Sequence, residues 1–511
     1  MRKLFYLFFI LTAMAAPSFP QTEDDQFMPA GLGFSNQLEY SYDIKLKREI
    51  FENWLNVDYR KSIFSAGVRF DLFQPNDPDP SISRGKEKFA GIDYKYLKAE
   101  FGDTETSGEI TVGNYYALFG RGLLLKSYED RFIRVDNNLL GVKFLGRYKG
   151  LTLTALTGMA ENSQAERKDI IHAADIDYHL IKNIRLGASI ASNQPDADGA
   201  ARNSLLSIRI QPNFWNFDFY GEYGVRLNDD IKEKKFKNKE KFAGKAFYGG
   251  TNFYFGNLAG LVEYKYYDNF SFTSNDGTIF YNTPPAVRKE YAYILLNRHP
   301  SPLNSNNEQG FQVELNYGLS DDTYLTANYG LTKTLPPSSL YQRSIGINNS
   351  VRTQLQEFYL QAQQTWNDKF QTIAGFAYYE ELDANTKSIT PVLDNRFYFD
   401  DINTIRLILE HQQVTNRTTT ENYYDDVIML EYLRSPNLSI SVVAEVQSRE
   451  PQVDRIVRKV WGFLQIGYKF WSHTDFSILF GTRQAGNICI GGICRYEPEF
   501  SGMELKMTTR F

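Results

Sequence analysis

Gly502-Met503-Glu504-Leu505-Lys506-Met507-Thr508-Thr509-Arg510-Phe511 is the stretch on which the reading of this chain turns. Met503, Leu505, Met507, Thr509 and Phe511 fall on one face of an extended strand, and Glu504, Lys506, Thr508 and Arg510 on the other. Side chains alternate across a strand with a period of two, so one face suits an apolar medium and the other suits water. An ordinary terminal strand of a soluble sheet would show the same alternation. The rest of the chain has to separate the two.

The alternation recurs throughout. Phe311, Val313, Leu315, Tyr317 and Leu319 alternate with Gln312, Glu314, Asn316 and Gly318. Leu438, Ile440, Val442, Ala444 and Val446 alternate with Ser439, Ser441, Glu445 and Gln447, with Val443 as the exception. Segments of about ten residues with this pattern, separated by turn residues, are the signature of a transmembrane barrel. Connection lengths give an independent check. Tight connections fall near Arg60-Lys61, Lys149-Gly150, Lys182-Asn183, Gly256-Asn257, Asn367-Asp368 and Pro436-Asn437. Longer polar ones run from Gln74 to Glu87, Gly120 to Asn137, Asn228 to Lys241, Thr334 to Thr353, Ser448 to Arg458 and Gln484 to Glu499. Threaded together, the short connections gather at one end and the long ones at the other, as barrels of this kind require.

The expected fold is therefore all-β: a single large antiparallel transmembrane β-barrel of about 26 strands, with both termini at one end. Alternation is poor over Ser271–Arg298 and Ile389–Phe399, and losing a hairpin at one or both sites lowers the count to about 24 or about 22. The apolar phase slips near Tyr96-Leu97, which predicts a β-bulge there.

The amino-terminal residues agree. Arg2 and Lys3 precede an apolar run, Leu4 to Ala16, too short to span a bilayer as a helix, followed by an Ala13-Met14-Ala15 cleavage pattern and Gln21. Residues 1–21 read as a secretory signal peptide, 22–33 as a short periplasmic segment and 34–511 as the barrel. Aromatics make up 15% of the 511 residues, with 34 Tyr and 38 Phe, residue types that favour strands and membrane interfaces. A net charge of -5 gives no case for nucleic-acid binding.

Two local features carry chemistry. Cys489-Ile490-Gly491-Gly492-Ile493-Cys494 places the two cysteines symmetrically about a Gly-Gly pair, which supplies the positive φ values of a two-residue hairpin turn. Cys489 and Cys494 would then face each other at disulfide distance; a redox or metal site is the competing reading, and it lacks further ligands. No metal or cofactor is expected. The stretch Gly113–Arg134 loses alternation after Phe119 yet stays too apolar for an open loop. It is either a loop folded into the lumen, with Arg121, Lys126, Arg131 and Arg134 lining a constriction that favours anions, or a longer strand projecting above the membrane.

Glu222, Glu263, Glu314, Glu431, Glu445, Arg406 and Lys506 are among the charged residues on faces assigned to the lumen, because a charge facing lipid at midplane costs about 2–4 kcal/mol for Lys or Arg. Six lysines between Asn228 and Lys241 offer a surface for lipopolysaccharide or another polyanion, or simply a solvated loop. His411 has no evident acid or serine partner in its local sequence, so no enzyme is expected.

With these residues in hand, the chain resembles porin-like outer-membrane β-barrels of Gram-negative, Bacteroidetes-type bacteria. The resemblance implies that Leu505, Met507 and Phe511 act as the assembly signal read by the barrel-insertion machinery, and that outer-membrane lipid surrounds the wall. It implies a channel passing a small or oligomeric solute. The alternative is a barrel scaffold plugged by, or anchoring, a partner in secretion or surface assembly. A bore of this size needs filling, and Gly120–Asn137 and Thr334–Thr353 are the loops nominated to fill it.

Overall fold

The computed structural model describes residues 30–74, 89–162, 166–196, 202–227, 242–298, 302–449, 459–470, 473–490 and 493–511. Wall strands are numbered in chain order. The first eight are β1 (Leu32–Asp43), β2 (Arg48–Lys61), β3 (Phe64–Gln74), β4 (Phe89–Gly102), β5 (Thr106–Tyr115), β6 (Leu139–Tyr148), β7 (Leu151–Ala160) and β8 (Ile170–Ile181). Next come β9 (Ile184–Gln194), β10 (Asn203–Phe214), β11 (Phe217–Leu227), β12 (Phe242–Phe255), β13 (Leu258–Asp268), β14 (Asn307–Gly318), β15 (Thr323–Lys333) and β16 (Thr353–Asn367). The last eight are β17 (Phe370–Glu381), β18 (Thr386–Tyr398), β19 (Asn403–Asn416), β20 (Asn422–Arg434), β21 (Leu438–Gln447), β22 (Val460–Phe470), β23 (Thr474–Arg483) and β24 (Phe500–Arg510).

These form one 24-stranded antiparallel sheet that closes on itself, β1 pairing with β24 from Ser35↔Arg510 to Asp43↔Gly502. Closure removes the exposed edges that make long sheets stick to one another. The count falls within the expected range because the stretch around Ile389 does join the wall, as β18, whereas Ser271–Arg298 does not. The bulge lies at Asp93, where the register jumps between Arg69↔Tyr94 and Phe70↔Ile92, three residues before the predicted place.

At the seam, the Phe34 and Phe511 backbones bond to each other in both directions, and their rings lie 4.7 Å apart. Met507 is buried against Leu38 and Phe51, with Leu505 half-buried beside them. Tight turns such as Lys149-Gly150, both at positive φ as a type I′ hairpin needs, stand at the end that holds the first and last strand termini. The long connections stand at the other.

Alternate residues divide between two environments in the reverse of a soluble protein. On β10, Ile208 and Ile210 are 66% and 45% exposed, while Arg209 between them is 5% exposed. Arg209 reaches Asp175 at 2.7 Å and Asp177 at 2.8 Å on β8. Across the ring, Arg406 bridges Asp394 at 2.8 Å and Glu431 at 3.1 Å. The outer face is an apolar band, and exposed aromatics such as Tyr148, Phe214, Trp215, Phe255 and Trp366 gather at the tight-turn end. Aromatic girdles of this kind mark a membrane–water boundary. Among the described residues no helix is long and apolar enough to cross a membrane.

The expected signal peptide, most of the 22–33 segment, the lysine-rich 228–241 stretch, the 75–88 stretch and residues 450–458 lie outside the described residues.

Candidate functional site in the bore

Two segments break the wall pattern: residues 116–138 (inner loop I), between β5 and β6, and residues 269–306 (inner loop II), between β13 and β14. Their partners place both inside the barrel. Loop I touches β1 and β2 through Arg131 and Arg134 and β3 through Glu129 and Asp136, and it touches β11 and β12, on the far side of the ring, through Arg121. A segment can reach both walls only by crossing the bore.

Loop I is a double turn. Ala117-Leu118 pairs with Lys126-Ser127, and Glu129-Asp130 with Val135-Asp136. Gly120 and Gly122, at φ +55° and +84°, form its tip. A Cβ on Gly120 would stand 2.6 Å from a Glu222 carboxylate oxygen and 2.8 Å from the Tyr220 hydroxyl, so only glycine lets the tip approach this wall. Leu123, Leu124 and Leu125 are fully buried and pack with Phe119, with wall residues such as Leu205, Ala246 and Tyr267, and with Phe270, Phe272, Ile279 and Tyr281 of loop II. Burying each such side chain is worth about 1.5–3 kcal/mol. Small alanines on the wall leave the room for them.

The loops are also bonded to each other. The Lys126 N–H donates to the Tyr281 carbonyl (2.8 Å) and the Thr283 N–H to the Gly122 carbonyl (3.2 Å). Asn282, buried, donates to the carbonyls of Leu123 and Phe270, both at 3.0 Å, and accepts the Phe272 N–H at 2.8 Å. One side chain thus satisfies backbone groups that leave the sheet pattern and would otherwise be costly to bury.

Loop II then crosses the remaining bore. Near β8 and β9 it accepts a hydrogen bond from Asn193 at the Thr273 carbonyl and donates the Asn275 N–H to Asp169. Farther on, Lys289 meets Glu314 at 2.6 Å, and its N–H donates to Glu357. A single helical turn, Ile294–Asn297, donates its Ile294 and Leu295 N–H groups to the Glu410 carboxylate at 2.9 and 2.8 Å. Leu295 packs with Val427 and Val443, and Tyr293 and Leu296 with Tyr359, Val392 and Ile408. Val443, the apolar residue that broke the alternation of β21, faces inward to receive Leu295. Arg298 ends the traverse in a bidentate pair with Glu445 on β21.

Of the residues nominated from sequence, Arg121, Lys126, Arg131 and Arg134 all lie on loop I in the bore. Arg131 stacks on Trp54 (4.6 Å) and bonds Glu129, and Arg134 pairs with Glu52 and Glu39. Arg121 lies over Tyr220 (4.7 Å) and donates to the Tyr248 hydroxyl at 3.1 Å, while Lys126 sits over Tyr128 at 4.5 Å. Glu222 accepts from Ser207 (2.8 Å) and Tyr220 (2.5 Å), and Glu263 from Tyr248. Lys506 is exposed and stands opposite Glu39 in the β1–β24 register. Thr334–Thr353 contains a short helix, Leu340–Ser344, docked by two N–H groups on Asp268 at the end of β13.

Gly486–Ile490 and Ile493–Glu497 pair as a hairpin with Cys489 directly opposite Cys494. The Gly491-Gly492 turn and both cysteine side chains lie outside what is described. His411 finds an acid that its local sequence does not show, Asp426 on β20 at 2.6 Å, with both side chains about half exposed. Among the described residues that is the only hydrogen bond its ring makes, and no three His, Cys, Asp or Glu side chains gather to hold a metal.

Several solved structures are similar in fold. The chain aligns with the translocation pore of the P pilus usher PapC at 8% identity and a TM-score of 0.47, over 94% of this chain and 99% of that one. It aligns with the copper transporter OprC at 10% identity and 0.45 (94% and 80%). With OccK5 (OpdH) of Pseudomonas aeruginosa it aligns at 13% and 0.38 (75% and 98%). No curated protein matches. A family model matches residues 1–511, and the chain therefore belongs to DUF6029, a family of unknown function.

Proposed function

We propose that the protein is an outer-membrane channel whose own inner loops close the bore, and that it passes a small or oligomeric solute when loop II leaves the β19–β21 wall. The observation that carries this reading is the traverse of loop II: a large apolar core with loop I at one wall, and at the other two small apolar clusters with a few discrete polar latches. A body held by a large packed core on one side and by smaller contacts and separable latches on the other is suited to two arrangements. Arg131 and Arg134 hold loop I to the wall by ion pairs, whereas Arg121 and Lys126 lie against tyrosines and line a cavity. The tight-turn end, with both termini, faces the periplasm, and the long loops face outward. Residues 1–21 are a secretory signal, and the β1–β24 seam with Leu505, Met507 and Phe511 is what the insertion machinery closes.

Planar-bilayer recording of the purified full chain tests the reading. Brief discrete openings from a mainly closed baseline are expected. A steady open conductance would refute closure by the loops. Silence from a folded barrel, under voltage and with its plug destabilised, would favour the scaffold reading, in which the bore anchors a partner.

We also assign a disulfide to Cys489 and Cys494 from their register across the 486–497 hairpin; an exported protein can keep such a bond oxidised. Cys489→Ser with Cys494→Ser should leave insertion unchanged and speed cleavage within residues 484–499 by protease added to intact cells. Equal cleavage rates would remove the assignment.

A further inference from the structure

Cations that secure the inner loops meet carboxylates, among them Arg69, Arg131, Arg134, Lys265, Lys289 and Arg298. Arg121 and Lys126 differ. Among the described residues no carboxylate lies within ion-pair distance of either, and both line one cavity of about 340 Å³ between the tip of loop I and Thr283–Glu290 of loop II. Arg121 also borders a second cavity of about 320 Å³ toward the tight-turn end, lined further by Lys182, by Asp218 and by Arg185, which pairs with Asp177. A guanidinium placed between two chambers, held over Tyr220 and Tyr248 by its faces, keeps donors of its planar fork available. Cations lining one cavity inside a wall of low dielectric attract an anion more strongly than they would at an open surface.

We infer that the Arg121–Lys126 cavity is a binding site for a small organic anion, its carboxylate or phosphate held by the Arg121 fork and the Lys126 ammonium. The volume is at the small end of the range for ligand pockets, which fits a metabolite-sized anion. Tyr248, Pro284 and Pro285 supply apolar walls, while Arg288, Glu263 and Glu290 also line the cavity, and the two acids disfavour ligands of high negative charge. Arg rather than Lys at the chamber boundary favours planar, two-point recognition. The inference rests on the bore being a solute path, but its test does not require conduction.

The experiment is isothermal titration of the full chain in detergent with succinate, glutamate and inorganic phosphate, and with glucose as the uncharged control. Saturable binding of at least one anion, and none of glucose, is expected. Arg121→Gln and Lys126→Gln, each checked for an unchanged thermal midpoint, should each weaken that binding by about tenfold or more, the loss of one charge-assisted contact. Arg121→Lys should recover part of it. Absence of binding by all three anions, equal binding of glucose, or unchanged affinity in a folded Lys126→Gln protein would overturn the site. Binding without conductance would leave the site standing and refute only the channel.

Discussion

Arg69→Met is expected to destabilise the folded barrel by about 3–5 kcal/mol, the range for breaking a buried ion pair by removing one partner. Arg69 is 2% exposed and bonds four carboxylates: Asp71 at 2.9 Å and Asp93 at 3.0 Å from the wall, Glu129 at 2.9 Å and Asp136 at 2.8 Å from loop I. Methionine keeps much of the volume but leaves four acids converging without their cation. Asp71, whose side chain is fully buried, has the least access to water for relief. Asp93 sits at the bulge of β4 and meets the same guanidinium that anchors loop I. Denaturant unfolding in detergent measures the loss, and protease cleavage between residues 129 and 136 reports whether loop I detaches first. A loss below about 1 kcal/mol, the value of an exposed pair, would show that water reaches this cluster.

Glu410→Ala combined with Arg298→Ala is expected to convert rare openings into frequent ones. Removing Glu410 strands two N–H groups at the start of the helical turn, one of them on buried Leu295, at about 1–3 kcal/mol for each buried group left unsatisfied. Removing Arg298 breaks a bidentate pair whose two side chains are 10% and 6% exposed. The latched arrangement then loses on the order of 3–4 kcal/mol relative to a released one. At tenfold for each 1.4 kcal/mol, the fraction of time open should rise by about two to three orders of magnitude. The Leu295 contacts with Val427 and Val443 remain, so loop II should still return. Single-channel open probability is the readout. An unchanged open probability in a normally folded double variant would mean that loop II is a fixed partition.

The wall was largely legible because a barrel strand repeats its message every two residues, and Leu505 to Phe511 or Phe311 to Leu319 can be read without knowing their neighbours. Turn positions followed for the same reason. Loop I was half legible: the failure of alternation after Phe119 in an apolar stretch announced a segment leaving the wall. Loop II carried a similar sign, with Phe270, Phe272 and Tyr281 in a stretch of broken alternation, yet it read as a weak hairpin. Its role depends on Glu357, Glu410 and Glu445, which lie far along the chain and look like any other inward-facing acids. Arg69 escaped notice because its phase on β3 gives no hint that four carboxylates converge on it. Thr334–Thr353 was nominated on length alone, and its described contacts with Asp268 lie at the end of β13.

Both inner loops are hung by two ends from neighbouring wall strands. β13 and β14 pair along their length, so the chain enters and leaves loop II about one strand spacing apart, roughly 4.8 Å. Such a segment behaves as a bight of rope and not as a cork. It can be pushed aside or folded up toward the rim, but nothing can draw it out end first. A single nick would leave two stubs, each still tied to the wall, and clearing the bore permanently would take two cuts.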